Sequence, residues 1–151
     1  DRYAALPVAE AFTWDACNAE VDPGEWYMVA FRSVHKHDAD EARLTAYDDW
    51  AHEEAMRAPG FVHYFKGPTA SDGTCMSFCL WDSRAEARSA AGRQRHAAAA
   101  ALVHEMYERY ELEFHRVRRT EDGFTFEDYD RPAVVPEPAV PLAFLPGLAP
   151  S

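Results

Sequence analysis

The chain has few cysteines and no long hydrophobic run, and these shortages exclude two classes of protein. Its three cysteines are too few and odd in number for a disulfide scaffold. Cys75 and Cys79 share a predicted strand, roughly 13 Å apart, too far for a disulfide or a shared metal. We therefore expect reduced thiols in a cytoplasmic protein. No apolar run approaches the roughly 20 residues of a membrane span.

Positive charge is also scarce. The 15 basic residues stand against 26 acidic ones, a net charge of −11, so neither nucleic acid nor an anionic membrane is an expected partner. The opening stretch DRYAALPVAE lacks the basic and apolar regions of a secretion signal. What is present is a hydrophobic fraction of 48% in 151 residues, which predicts a globular domain with a sizeable core.

The hydrophobic pattern predicts four strands and two helices. Their order is β-α-β-β-α-β, over residues 26–34, 38–57, 60–67, 74–81, 83–108 and 110–119. Ser83 and Glu86 form a capping box that begins the second helix, and Gly92 interrupts it. We divide the chain into an irregular segment (1–25), the domain (26–119), and a hairpin with a proline-rich tail (120–151). In the tail, four apolar residues are candidates for docking on a neighbour: Leu142, Phe144, Leu145 and Leu148.

This order indicates an α+β, ferredoxin-like fold, with a four-stranded antiparallel sheet and two helices on one face. Strands 26–34 and 74–81 are apolar on both faces, so the second face must also be covered. We expect a second copy to cover it, which would make the protein a homodimer that associates through this face. We interpret 110–119 as an edge strand with one wet face.

Several stretches carry a family resemblance: WYMVAFRSV, GFVHYFKG, FCLWDSRAEA, His96 and YELEFHRV. Together they resemble the dimeric α/β-barrel superfamily, which includes antibiotic-biosynthesis monooxygenases, small polyketide cyclases and haem-degrading enzymes. EWYMVAFRS, AHEEA and W-x-S-R-x-E-A-R resemble, more narrowly, an uncharacterised family of actinobacteria and fungi. The resemblance implies a ligand cavity between the sheet and its helices. It also raises a haem alternative, with His96 or His104 as the iron ligand, although neither matches the family's position for it.

Three ionisable residues are candidates for catalysis. Asp48 and His52 stand one helical turn apart beside an apolar stripe, a spacing that lets the carboxylate orient the imidazole. Such a pair is suited to a general base, although a surface ion pair has the same spacing. His96 shares a helix face with Ala99, Val103 and Tyr107, which indicates a residue that is either packed in the core or lines the cavity.

Five further residues are candidates for binding a substrate. Arg32 is a charged group on an apolar strand face and could bind a substrate carboxylate, or could pair with one of the many acids. His63 alternates with Phe61 and Phe65, and would join His52 and His96 if that face turned to the helices. Tyr64, Tyr107 and Trp81 are expected in the cavity wall. We interpret His35-x-His37 as a solvated turn.

These residues predict a small-molecule enzyme of secondary metabolism that acts on an apolar or aromatic substrate. His52 or His96 would transfer a proton in cofactor-independent oxygenation, or in cyclisation or isomerisation next to a carbonyl. We expect no cofactor and no metal site. The alternatives are a haem protein and a non-catalytic module for ligand binding and dimerisation.

Overall fold

A computed structural model describes residues 2–129 of the chain. The tail residues named above as candidates for docking lie outside this range. Residues 2–129 form five α-helices and five β-strands, in the order α1 (Val8–Ala11), β1 (Gly24–His35), α2 (Glu41–Met56), β2 (Phe61–Phe65), β3 (Thr74–Trp81), α3 (Arg84–Ala91), α4 (Gln94–Ala101), α5 (Val103–Met106), β4 (Tyr107–Thr120) and β5 (Gly123–Asp128). Within 2–129 no helix combines the length and hydrophobicity of a membrane span.

The strands form one antiparallel sheet in the order β2-β3-β1-β4-β5. The first four of these strands have the ferredoxin-like order, which confirms that part of the prediction. The number of strands was wrong, because the stretch after the turn at Asp122-Gly123 pairs with β4 from His115↔Asp128 to Thr120↔Gly123. β4 is therefore an inner strand, not an edge strand.

Carboxylates and hydroxyls fix where the helices begin. The residue that caps α2 is Asp40, two residues after Asp38, where the helix was predicted to begin. Its carboxylate accepts the hydrogen bond from the backbone N–H of Arg43, at 3.0 Å. The capping box at Ser83 is confirmed, since its hydroxyl accepts from the Glu86 N–H at 3.3 Å and donates to the Glu86 carboxylate at 3.0 Å. The second predicted helix is three shorter helices: α3 ends just before Gly92, and α4 and α5 follow it.

One face of the sheet packs against the helices. Tyr27, Val29 and Phe31 of β1 point to this side, as their alternation predicts, and they pack with Ala55 of α2 and Ala90 of α3. The helices present mainly small side chains to large ones on the sheet. This difference in size leaves room between the two layers.

The opposite face is covered by the N-terminal segment of the same chain. Val8, Phe12 and Trp14 pack on Met28 and Phe78 of the sheet, and Phe12 meets the Phe78 ring at 5.5 Å between centroids. The expectation that a second copy covers this face was therefore wrong. Residues 3–17, which belong to the segment predicted to be irregular, supply the cover through a short helix and two 3₁₀ turns.

Arg32 fastens this segment to the sheet. Its guanidinium donates to the carbonyl oxygens of Ala4 at 2.6 Å and Leu6 at 2.7 Å, and pairs with the carboxylate of Glu113. Glu113 also accepts from the His115 ring at 3.1 Å. The hydrogen bond from His115, together with Arg32, lowers the pKa of Glu113 to about 2. Charge on this face thus holds two backbone segments together.

Replacing Trp14 with alanine should lower the free energy of unfolding by about 2–4 kcal/mol, because its ring packs on Phe78 and Phe126. Trp50→Ala is the matched control, since Trp50 is 41% exposed and should lose less than about 1 kcal/mol. Urea denaturation measures both. Equal losses would show that the N-terminal segment is not part of the cooperative core.

Acid should weaken the Arg32–Glu113 contact. The folded-state pKa of Glu113 lies at about 2, below its ordinary 4.5, so its stabilisation is present above about pH 4.5 and is lost as the pH falls toward 2. Glu113→Gln should therefore flatten the dependence of unfolding free energy on pH between about pH 5 and pH 3. An unchanged slope in that variant would contradict this network.

Candidate active site

A cavity of about 180 Å³ lies between the helix layer and the sheet. An engineered cavity of about 150 Å³ is known to hold benzene, so this space is of the size of a small aromatic molecule. The predicted hollow between the helices and the sheet is therefore present in the structure, although it is smaller than the few hundred cubic ångströms typical of larger ligands.

The wall has an aromatic side and a small-residue side. The sheet contributes aromatic rings and two thiols, from Phe31, Phe61, Tyr64, Cys75, Cys79, Trp81, Tyr107 and Tyr110. The helices contribute four alanines, at Ala51, Ala55, Ala99 and Ala100, among larger side chains such as Leu44 and Val103. All three cysteines are unpaired, as predicted. Burial raises the pKa of the Cys79 thiol to about 12, so this group is a neutral wall atom rather than a nucleophile.

His96 lines the cavity from the first turn of α4. The carboxylate of Glu54 on α2 accepts hydrogen bonds from the backbone N–H groups of Arg95 at 3.4 Å and His96 at 3.3 Å, and so caps α4 from outside the helix. Burial lowers the pKa of His96 below its ordinary 6.5, against the opposing charges of Glu54 and Asp48. The imidazole is therefore neutral at neutral pH, and within 2–129 no protein group hydrogen-bonds to its ring.

Asp48 lies in the cavity wall, but not with the predicted partner. Its carboxylate accepts from the Tyr64 hydroxyl at 3.2 Å and pairs with the Lys66 ammonium at 3.0 Å. The expected contact with His52 is replaced, because β2 brings a hydroxyl and an ammonium group closer to Asp48. Asp48 thus orients Tyr64 rather than an imidazole.

His52 also lines the cavity, with its ring against Tyr64 at 4.5 Å and Phe61 at 6.0 Å between centroids. Its neighbours are aromatic faces and not a carboxylate. The structure therefore brings His52, His96 and Asp48 to one cavity wall, but it gives neither imidazole a carboxylate that holds its ring.

Tyrosine hydroxyls supply the polar groups of the aromatic side. Tyr64, Tyr107 and Tyr110 line the cavity, and burial raises the pKa of all three. For Tyr64 the negative charge of Asp48 adds to this effect. These phenols stay protonated. Tyr107 and Tyr110 can donate hydrogen bonds to a ligand, whereas the Tyr64 proton is already donated to Asp48. Tyr107 and Trp81 are in the wall as predicted, although Tyr107 begins β4 and does not end a helix.

His63 does not join the other histidines, because β2 contains a register shift between Phe61 and His63. The extra residue places Phe61 and Tyr64 on the helix side, and it leaves His63 exposed and beside Phe78. The expected strict alternation was therefore wrong for this strand. Arg32 likewise lies on the opposite face, bound to the N-terminal segment, and is absent from the cavity wall. In the part of the chain that is described, no cluster of three or more metal-binding side chains occurs.

The sequence interpretation missed His35 and Glu41. The His35 side chain is only 10% exposed, lines the cavity, and its Nδ1–H donates to the Glu41 carboxylate at 2.7 Å. β1 runs one residue further than predicted, so His35 continues the alternation of Phe31 and Ser33 into the cavity. That parity was readable in the sequence, but the polar neighbours of His35 favoured a solvated turn.

A haem does not fit this site. His96 borders the cavity, but about 180 Å³ is below even the roughly 300 Å³ of a small drug pocket, and a porphyrin is larger. His104 is exposed and lies outside the cavity wall. We derive no chemistry through haem.

The buried tyrosines should resist ionisation by alkali. Because burial raises the pKa values of Tyr64, Tyr107 and Tyr110, their phenolates should form only when the protein unfolds. The folded-state amplitude of an ultraviolet pH titration should therefore be the same in the wild type and in Tyr64→Phe or Tyr110→Phe. Loss of one tyrosine's amplitude in either variant would show that the cavity wall is open to water.

Three bacterial proteins are among the solved structures to which this chain is similar. A candidate antibiotic-biosynthesis monooxygenase from Nitrosomonas europaea is 17% identical with a TM-score of 0.52, covering 62% of this chain and 90% of its own. Rv0793 from Mycobacterium tuberculosis is 21% identical with a TM-score of 0.52, covering 60% and 91%. SnoaB, a cofactor-independent oxygenase from Streptomyces nogalater, is 19% identical with a TM-score of 0.47, covering 58% and 89%.

At these identities the likeness shows the fold alone, and the two structures with a TM-score of 0.52 confirm the expected type of fold. No curated protein matches the sequence significantly. The sequence profile of a family described as PB2B2.08-like matches residues 1–128. The chain therefore belongs to the PB2B2.08-like family.

Proposed function

We propose that the protein is a small-molecule oxygenase that needs no cofactor and acts on an aromatic substrate in the cavity. The observation that carries the proposal is a cavity with an aromatic side, bordered by a neutral imidazole, His96. The monooxygenase descriptions of proteins with the same fold are consistent with it, but the proposal is argued from the site itself.

The cavity limits the size and character of the substrate. A volume of about 180 Å³ suits one or two rings, and the surrounding faces of Phe31, Phe61 and Trp81 suit an aromatic molecule. The protonated hydroxyl of Tyr107 can donate a hydrogen bond to an oxygen atom on the substrate. We therefore propose a small arene that carries a hydroxyl group, or a CH₂ group acidified by a neighbouring carbonyl.

Oxygenation of such a CH₂ group balances as R₂CH₂ + O₂ → R₂C=O + H₂O. A base first removes one proton, and the carbanion gives its electrons to O₂ to form a C–O bond. The peroxide anion takes a proton. A base then removes the remaining C–H proton as the O–O bond breaks, and the departing hydroxide becomes water. Each proton removal requires a neutral base, and a dry cavity keeps the anion from being quenched by solvent.

His96 meets the requirement for this base, because it is neutral at neutral pH and its ring has no protein hydrogen-bond partner within 2–129. His52 is the alternative, since its ring also borders the cavity. Cyclisation or isomerisation next to a carbonyl begins with the same proton removal but consumes no O₂. The homodimer stays a prediction, and dimerisation is not needed to complete this cavity wall.

The purified protein should consume O₂ when supplied with one- and two-ring phenols and cyclic aryl ketones, in the presence of a metal chelator and without flavin. His96→Asn should lower the rate of turnover by about 10²-fold or more, as expected for removal of an acid–base group. Oxygen-electrode assays, with mass spectrometry of the products, measure this.

His63→Asn is the matched control, because His63 is exposed on the other face of the sheet and should keep the wild-type rate. Conversion of a substrate without O₂ uptake would instead indicate cyclisation or isomerisation. Binding without turnover, at equal affinity in the wild type and His96→Asn, would contradict the enzyme proposal and favour a ligand-binding module.

A further inference from the structure

We propose that His35, held by Glu41, is a second proton acceptor of the cavity and ionises the hydroxyl group of an aromatic ligand. The proposal rests on the function proposed above and deepens it. It assigns to His35 the ionisation of a hydroxyl group on the substrate, a step that precedes the two C–H proton removals of the oxygenation, and it leaves those removals to His96.

The hydrogen bond to Glu41 fixes the chemical form of the His35 ring. A carboxylate accepts and cannot donate, so the 2.7 Å contact places the proton of the neutral ring on Nδ1. Nε2 is then left with its lone pair. Among residues 2–129 no group hydrogen-bonds to Nε2. This is the arrangement expected of a general base, with one nitrogen oriented by a carboxylate and the other free to receive a proton.

Packing holds the ring at the cavity wall. The His35 ring meets the Tyr107 ring edge-on at 5.1 Å between centroids, and its side chain is 10% exposed. The backbone N–H of His35 donates to the Gly73 carbonyl at 2.9 Å. A ligand hydroxyl at Nε2 would therefore lie beside the ring of Tyr107.

His35 differs from the other two cavity histidines in having a carboxylate at its ring. When Nε2 accepts a proton, the negative charge of Glu41 stabilises the imidazolium that forms. His52 has only aromatic neighbours, and Glu54 binds the backbone, not the ring, of His96.

The proton transfer is balanced within the site. The O–H bond of the ligand breaks, its electron pair stays on oxygen, and the proton moves to Nε2. The Nδ1–H of His35 remains bonded to the Glu41 carboxylate throughout. The products are a phenolate and an imidazolium in contact, with Glu41 as the counter-charge.

The test uses 4-nitrophenol, a single-ring phenol that becomes yellow when its hydroxyl group ionises. It needs no turnover, so it is independent of the oxygenase assay. Equilibrium dialysis measures binding, and absorption measures the ionised fraction of the bound probe at a pH below the probe's own pKa. In the wild type the bound probe should be mainly phenolate, although burial alone would favour the neutral phenol.

His35→Asn should reduce the ionised fraction of bound probe to that of the free probe or lower, and Glu41→Gln should reduce it partly, because the ring remains but loses its counter-charge. His37→Asn is the matched control, since His37 is an exposed neighbour and should ionise the probe as the wild type does. If His35→Asn does not fold, as judged by circular dichroism, the ionised fraction of probe bound to Glu41→Gln tests the proposal instead.

Three results would overturn the proposal in distinguishable ways. If the wild type binds the probe as the neutral phenol, His35 is not the proton acceptor. This result does not bear on the oxygenase proposal, which the O₂ assay tests. Equal ionisation in the wild type and in both the His35 and Glu41 variants would assign the proton to another group. Failure of 4-nitrophenol to bind at all would contradict both this assignment and the proposed class of substrate.

Discussion

The cavity depends on a mismatch in side-chain size between two layers. The sheet presents the large rings of Phe31, Phe61 and Trp81, whereas α2 and α4 present alanines such as Ala55 and Ala99. Two regular layers whose facing side chains do not fill the gap leave an enclosed space, which close packing otherwise excludes. Because most of its lining is apolar, the space suits a small arene.

Carboxylates at the ends of α2 place the chemistry at the edge of this space. At its start, Glu41 binds the His35 ring, and near its end Glu54 caps α4 and so fixes His96 at the wall. Between them Asp48 binds the Tyr64 hydroxyl. One helix thus sets the position of three polar groups on other elements. The second face of the sheet makes a different use of charge, since Arg32 and Glu113 hold the N-terminal segment in place.

The order of the first four strands could be predicted from the sequence, because hydrophobic period and capping signals are local, whereas the location of the cavity followed from the family resemblance. The inward direction of His96 followed from the alanines on its helix face. The errors arose where a contact is non-local. The bulge in β2 turns His63 to the other face of the sheet, and no local sequence pattern predicts this bulge. The Asp48 carboxylate contacts Tyr64 and Lys66 rather than His52, because strand pairing brings those two residues close to it.

The cover of the second face shows the same limit. The apolar pattern of β1 required a cover, but it could not distinguish a second copy from residues 3–17 of the same chain. Likewise, His35 looked like part of a polar turn, because only the fold brings Glu41 and Tyr107 around its ring. Pattern predicts which faces are buried, whereas the identity of the partner depends on the three-dimensional path of the chain.

The central claim is that a dry, ligand-sized space lies between α4 and the sheet. Toluene binding followed by nuclear magnetic resonance tests it most directly, with Ala99→Leu as the variant that fills the space. The account predicts that toluene shifts the methyl signals of Ala55 and Ala99 in the wild type, and that Ala99→Leu folds normally but no longer binds it. No binding to the wild type, or equal binding to both proteins, would contradict the account.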